Sequence, residues 1–342
     1  MHKVRIHIPH ALKEGPWGGG HQFLKALRHA LETRGAYTNT PERADIVLFN
    51  SFEDTKDLLR LKHSLPNTLF IHRVDGPVVL VRGKDRLLDH RTFVINNALA
   101  DGTIFQSTWC EQETKHLGMQ KQQFETIIMN APDNTTFNAN GSPQELENPI
   151  RLIAVSWSNN PRKGFHFYKE LDDRLDFSTH QMTFVGRTPF TFKNITVKKA
   201  MPSRELAEEL KRHHIFVTAS QTEPCSNALI EALSCGLPAI ALNSGGHPEI
   251  LQEGGELFTD IESFFSALRL VRMNYTLYKS SLPVFDIHKV TDQYLSFATH
   301  VKAAQEQGTY KPKQLSIAKY TYIRLLETGF QATNMMRKIA SI

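Results

Sequence analysis

Short apolar runs of strand character recur along this chain with helical stretches between them, and the rhythm runs twice. In the first half, Val4, Ile6 and Ile8 alternate with Arg5 and His7, and further strand candidates lie at Ile46–Phe49, Leu69–His72, Thr103–Phe105 and Thr126–Met129. After a polar, turn-rich stretch at 140–149 (NGSPQELENP), strands are expected at Arg151–Trp157, Met182–Val185, Ile195–Lys198, Ile215–Thr218 and Ala239–Leu242. Helices are expected between these at 164–175, 203–212 and 226–235. Strands separated by helices need crossovers and therefore pair in parallel, so the chain reads as two Rossmann-like α/β/α halves. The boundary is expected near residue 146, with 1–146 as the first domain and 147–300 as the second. Ligands of such sheets sit at the carboxyl ends of strands, and the two edges are expected to face a central cleft.

The length of 342 residues suits two such domains, and 40 % hydrophobic with 22 % charged residues fits a packed soluble protein. No apolar run is long enough for a spanning helix, and the first residues show no signal-peptide core, so a cytoplasmic protein is expected. Cys110, Cys225 and Cys235 lack metal or disulfide spacing. The net charge of +5 lies wholly in residues 311–342, where Lys311, Lys313, Lys319, Arg324, Arg337 and Lys338 face only Glu327. Two readings of that tail stay open: a helix packing back on the first domain, or a peripheral contact with anionic lipid at the inner face of a membrane. No stacking motif accompanies the basic residues, so no nucleic-acid partner is expected.

The stretch Ile215–Glu249 carries most of the chemistry. A strand ends near Ala219, a polar loop follows, and Ser226 is a good N-cap for the next helix. The first amides of that helix, around Asn227 and Ala228, form a ready anion site. Leu229, Ile230 and Leu233 share its apolar face, while Asn227, Glu231 and Ser234 share the opposite one. Glu231 on the helix and Glu223 in the preceding loop can look into one hollow and accept hydrogen bonds from sugar hydroxyls.

These residues resemble the retaining glycosyltransferases of family 4, which have the GT-B fold. The resemblance rests on Glu223 and Glu231 as a Glu-x7-Glu pair, on Ala232–Pro238 and on Gly245–Gly246–His247–Pro248–Glu249. Arg162–Lys163–Gly164 and the glycine-rich first loop support it. It implies that Glu231 holds the nucleotide's ribose hydroxyls and that Glu223 stands at the donor sugar. It places the diphosphate at Cys225, Ser226, Asn227 and Ala228, and makes Lys163 the cation that neutralises the leaving diphosphate. His72, in LFIHRVDGP, resembles a histidine that touches the donor sugar. The family's usual arginine is replaced by Trp157, which leaves Arg162 or Arg187 to supply a second cation, with Arg187 favoured because it follows a strand.

Gly18 and Gly19 are expected to allow close approach to the donor. Asp75, Gln106 and Ser107 are expected on the acceptor side, since they also follow strands. The resemblance further implies a nucleoside-diphosphate sugar as donor, a saccharide or lipid-linked acceptor, retention of configuration and final helices that cross back to the first domain. No Asp-x-Asp and no metal-ligand cluster occurs, so neither a cofactor nor a metal is expected. A sugar-nucleotide epimerase and a catalytically silent nucleotide-sugar binder remain the alternatives.

Overall fold

The computed structural model describes residues 3–12 and 18–339, with side chains as far as Gly329. The chain forms two compact units, one of Met1–Ala11, Leu27–Met129 and His288–Ile342, the other of Leu12–Ala26 and Asn130–Ile287. The polar stretch 140–149 thus lies inside the second unit, whose longer segment begins at Asn130. Its turn residues signal a surface loop, and a loop need not coincide with the place where few contacts cross.

The first unit is built on a five-stranded sheet in the order β1 (Ile6–His7), β2 (Ile46–Asn50), β3 (Leu69–Val74), β4 (Gly102–Phe105) and β5 (Glu125–Ile127). Every pairing is parallel. All residues of β2 and β3 are buried, as expected of a parallel sheet covered on both faces. Val47, Phe49 and Phe70 pack with Leu58 and Leu59 of the helix Thr55–Ser64, Ile95 and Leu99 of the helix Arg86–Leu99, and Ile323.

Ile323 belongs to the last helix, Ile317–Ile339, which packs on both of those helices. The basic tail is therefore anchored on its own unit. Asp101 is the anchor: one carboxylate oxygen accepts from Tyr310 Oη (2.9 Å) and the Lys313 amide (2.7 Å), the other from the Phe70 amide (2.8 Å). Lys62, fully buried, completes the set at 3.4 Å. A buried charge is stable only when paired and hydrogen-bonded, and Asp101 meets both conditions. The side chains of Phe330, Arg337 and Lys338 lie outside the described residues. Among the described residues no helix is long and apolar enough to cross a membrane.

The second unit holds six parallel strands in the order β11 (Gly255–Phe258), β10 (Ala239–Leu242), β9 (Ile215–Thr218), β6 (Ile150–Ser156), β7 (His180–Gly186) and β8 (Thr196–Lys198). The chain starts in the middle at β6, builds outward through β7 and β8, then returns to β9 on the other side. The strand order reverses between β6 and β9, where Leu152 pairs with Ile215 and Ile153 with Phe216. Connections above the carboxyl ends of these two strands leave in opposite directions, which opens a crevice between them. Leu152, Ala154, Phe184, Val217 and Ile240 lead from the strands into the core beneath, joined by Phe165, Leu171, Phe258 and Phe264.

Candidate functional site

A cavity of about 170 Å³ lies at this reversal, entirely within the second unit. Its wall comes from the ends of four strands and the loops that follow them: Ser156 and Trp157 after β6, Gly186 after β7, Ala200 and Met201 after β8, Ser220 and Glu223 after β9. The start of the helix Asn227–Ser234 closes one side with Cys225, Ser226, Asn227, Ala228 and Glu231.

Ser226 caps that helix, its hydroxyl accepting from the Leu229 amide at 3.5 Å. The preceding amides of Asn227 and Ala228 have no carbonyl one turn back within the helix, and they bring the positive end of its dipole to the cavity wall. Asn227 is held in turn by Asn130, whose amide donates to it at 3.1 Å. Gly19 comes so close that a Cβ there would lie 2.6 Å from the Asn227 amide nitrogen. A side chain at Gly19 would push into the Asn227 side chain at this helix start.

Lys163 reaches the cavity from a tight turn, Pro161–Lys163, capped by Asn160, whose side chain accepts from the Arg162 amide at 3.1 Å. Gly164 ends the turn at φ +78°, and a Cβ there would sit 2.3 Å from the Ala219 carbonyl oxygen. That contact presses the turn against the end of β9, and the Gln221 amide donating to the Arg162 carbonyl at 2.7 Å ties the two loops together. The Lys163 ammonium consequently meets the Glu223 carboxylate in a direct ion pair. Burial pulls the ammonium down to about 8, and the Glu223 charge opposes that by favouring the protonated form.

The Glu223 loop is clasped from the other side. The Glu223 carbonyl accepts from the Gly246 amide at 2.8 Å, and the Thr222 amide donates to Ser244 Oγ at 2.9 Å. Thr222 itself is held at φ +53°, an uncommon state for a branched residue, and the clasp supplies the contacts that maintain it. Glu231 differs from Glu223 in having no ion-pair partner among the described residues. Its carboxyl sits on the cavity wall, and desolvation raises it to about 8, so the group is largely protonated in the ligand-free protein at neutral pH.

Three features expected from sequence need correction. His72, which the resemblance places at the donor sugar, lies inside β3 and is 0 % exposed. Its Nε2–H donates to the Ser51 carbonyl at 3.0 Å, its Nδ1 accepts from the Asn96 amide at 3.0 Å, and its ring stacks on Phe49. Burial lowers it to about 3, so it is a neutral core histidine with both nitrogens occupied. Gln106 and Ser107 are likewise committed. The Gln106 side chain accepts from Arg73 and donates to the Val74 carbonyl, and Ser107 is the N-cap of the helix Thr108–His116. Asp75 keeps a partly exposed carboxylate, joined to Asn50, Arg73 and Gln106.

The two candidate arginines stand apart from the cavity wall. Arg187 is exposed, its guanidinium 4.9 Å from the centre of the Trp157 ring, and Trp157 rather than Arg187 or Arg162 lines the cavity. Gly18 lies beside that same ring, 3.5 Å from where its Cβ would be. Sequence reasoning missed Ala200, Met201 and Ser203, although the strand-end rule applied to the run after Lys198 points to them. Among the described residues no group of three or more His, Cys, Asp or Glu side chains is placed to hold a metal.

The strand order thus reverses between β6 and β9 beneath a cavity that has a capped helix start at its edge. Residues 151–272, all within the second unit, match the family model described as Glycosyl transferases group 1. Among solved structures, the chain is similar to a sucrose-phosphate synthase from Thermosynechococcus elongatus (TM-score 0.66, 14 % identity, 88 % of this chain and 100 % of that one). It is similar to the Anabaena HepE protein in complex with UDP and glucose (TM-score 0.65, 14 % identity, 87 % and 100 %). Those likenesses establish the GT-B fold.

Two of the three relatives similar in sequence illustrate the match. A probable sucrose-phosphate synthase of Thermosipho melanesiensis is 33 % identical over 158 residues, which is 43 % of this chain and 37 % of the relative. The Arabidopsis thaliana sulfoquinovosyl transferase SQD2 is 29 % identical over 147 residues, 38 % of this chain and 27 % of the relative. The chain thus spans about a third of the length of the curated relatives it matches.

Proposed function

We propose that this chain is a retaining glycosyltransferase of family 4 that moves a sugar from a nucleoside-diphosphate sugar to an acceptor hydroxyl without a metal. The observation that carries the reading is the convergence of Lys163, Glu223, Glu231 and the Asn227–Ala228 helix start on one cavity. Each matches one part of the donor. The ribose hydroxyls donate to Glu231, whose carboxyl lacks a neighbouring cation and is suited to neutral donors. The diphosphate lies on the helix start, where amides and dipole favour negative charge. Lys163 leaves Glu223 to meet the charge that develops on the departing phosphate, the role a metal plays in other transferases.

Glu223 then faces the sugar as a hydrogen-bond acceptor that orients it. The acceptor hydroxyl attacks the face from which the diphosphate departs, and a phosphate oxygen takes its proton. Asp75, on the first unit, is the remaining candidate for a polar contact with a saccharide or lipid-linked acceptor.

Thermal unfolding in the presence of UDP, GDP and ADP, with and without a chelator, tests the donor assignment. One of the three is expected to raise the unfolding temperature in a concentration-dependent way, corresponding to about 2.7 kcal/mol at one hundred times its Kd. The same shift is expected with chelator present. Indifference to all three nucleotides removes the donor assignment, and a shift that vanishes with chelator removes the metal-free mechanism.

A further inference from the structure

His247 opens the short helix His247–Leu251 directly after the glycines that clasp Glu223, yet the donor site as described gives it no task. The side chain is 0 % exposed. Its Nδ1 lies 2.8 Å from the Leu242 carbonyl oxygen, and a carbonyl can only accept, so Nδ1 carries the proton. The other nitrogen, Nε2, has no hydrogen-bond partner among the described residues. It points at Glu223, with Oε2 of that carboxylate 3.8 Å away. Two acceptors facing each other in a buried place are unfavourable unless something makes one of them a donor. Lys163 keeps the arrangement tolerable in the ligand-free protein by neutralising Glu223 from the opposite side.

That balance changes when the site is used, and this step rests on the function proposed above. A bound diphosphate competes for Lys163, and Glu223 then keeps its charge without its cation. We propose that His247 is a positioning residue for Glu223: as Lys163 moves onto the diphosphate, Nε2 takes a proton from solvent and the imidazolium becomes the new partner of the Glu223 carboxylate. Glu223 is thereby held at the donor sugar while Lys163 serves the leaving group.

The charges that face the imidazole are few. Glu223 approaches from the loop after β9, Lys163 lies beyond it on the turn after β6, and the Leu242 carbonyl projects from the end of β10. In the ligand-free protein, burial holds the imidazole down to about 4, the Lys163 charge adds to that effect, and the ring is neutral at pH 6. Removing a like charge and exposing an opposite one 3.8 Å away act in the same direction. Both favour the protonated ring.

The test is calorimetric titration of the full chain at pH 6 with whichever of UDP, GDP or ADP binds, in buffers of different ionisation enthalpy. Wild type and His247→Gln are compared, because glutamine retains a hydrogen-bonding amide and cannot take up the proton. Wild type is expected to take up about half to one proton more per nucleotide than the variant, since linkage counts the protons bound in each state. Any exchange at Glu231 is common to both proteins and cancels in the difference. Equal proton uptake overturns the role of His247 and leaves the donor site standing; failure of wild type to bind any of the three overturns both. If His247→Gln does not fold, imidazole NMR of the wild type decides: a ring whose titration midpoint rises on nucleotide binding supports the proposal, and a set of rings unmoved by nucleotide overturns it.

Discussion

Lys163→Ala is expected to slow glycosyl transfer by about 10²–10³-fold, the scale on which removal of one group stabilising transition-state charge acts. The charge on the diphosphate grows as its bond to the sugar breaks, so the ammonium contributes most in the transition state and less in the ground state. Nucleotide affinity is accordingly expected to fall less than the rate does. The fold is expected to persist, because the turn that carries Lys163 is held by the Asn160 cap and the Arg162–Gln221 backbone bond, neither of which involves the side chain. Single-turnover rates and calorimetric affinities measured on the same preparation check this. A variant within about tenfold of the wild-type rate would show that the leaving group is stabilised by something else.

Glu231→Gln is expected to have two effects of opposite sign. At pH 9, where the carboxyl is mostly ionised, nucleotide affinity is expected to drop by about 1.5–3 kcal/mol, the range for hydrogen bonds to a charged group, because the amide carries no charge with which to accept from the two hydroxyls. Stability of the ligand-free protein is expected to rise at pH 8 by several kcal/mol, about 4 kcal/mol if the whole shift is expressed. The sign follows from the raised carboxyl, which lies at about 8 in the folded chain and in the ordinary carboxylate range when unfolded. Between those values the folded state binds more protons, so the wild-type contribution falls as pH rises through that window. Below it the carboxyl is protonated in both states and contributes no pH dependence. Urea unfolding of both proteins at pH 5 and pH 8 checks the point, and an advantage for the variant that is equal at the two values would contradict it.

The second unit was legible in sequence because its chemistry is local. The strand-end, cap and carboxylates of 215–235 follow one another within a single β–loop–α unit, so spacing alone assigns a common side. Ser226 is the cap, and Glu223, Asn227, Ala228 and Glu231 line one cavity. The ion pair of Lys163 with Glu223 has a physical basis visible only in the fold. It depends on β6 and β9 being neighbours, which strand spacing does not specify.

The failures have a common cause as well. The resemblance gives His72 a ligand-facing role, and position after a strand gives one to Gln106. Burial of the whole of β3 and an arginine inside it, Arg73, turned these polar residues into an internal hydrogen-bonding network. A polar residue at a strand end faces ligand when its partners are absent and faces the core when a buried charge needs it. Sequence periodicity does not distinguish these states. Arg187 illustrates the same limit, since the ring of Trp157 provides it with a resting place that no spacing rule anticipates.

A crystal structure of the full chain soaked with the nucleoside diphosphate that stabilises it tests the central claim most directly. The account predicts the ribose hydroxyls against Glu231, the phosphates over the amides of Asn227 and Ala228, and the Lys163 ammonium turned from Glu223 toward the terminal phosphate. Nucleotide seated elsewhere on the second unit, with the Lys163–Glu223 pair intact and the cavity beside Glu231 unfilled, would contradict it.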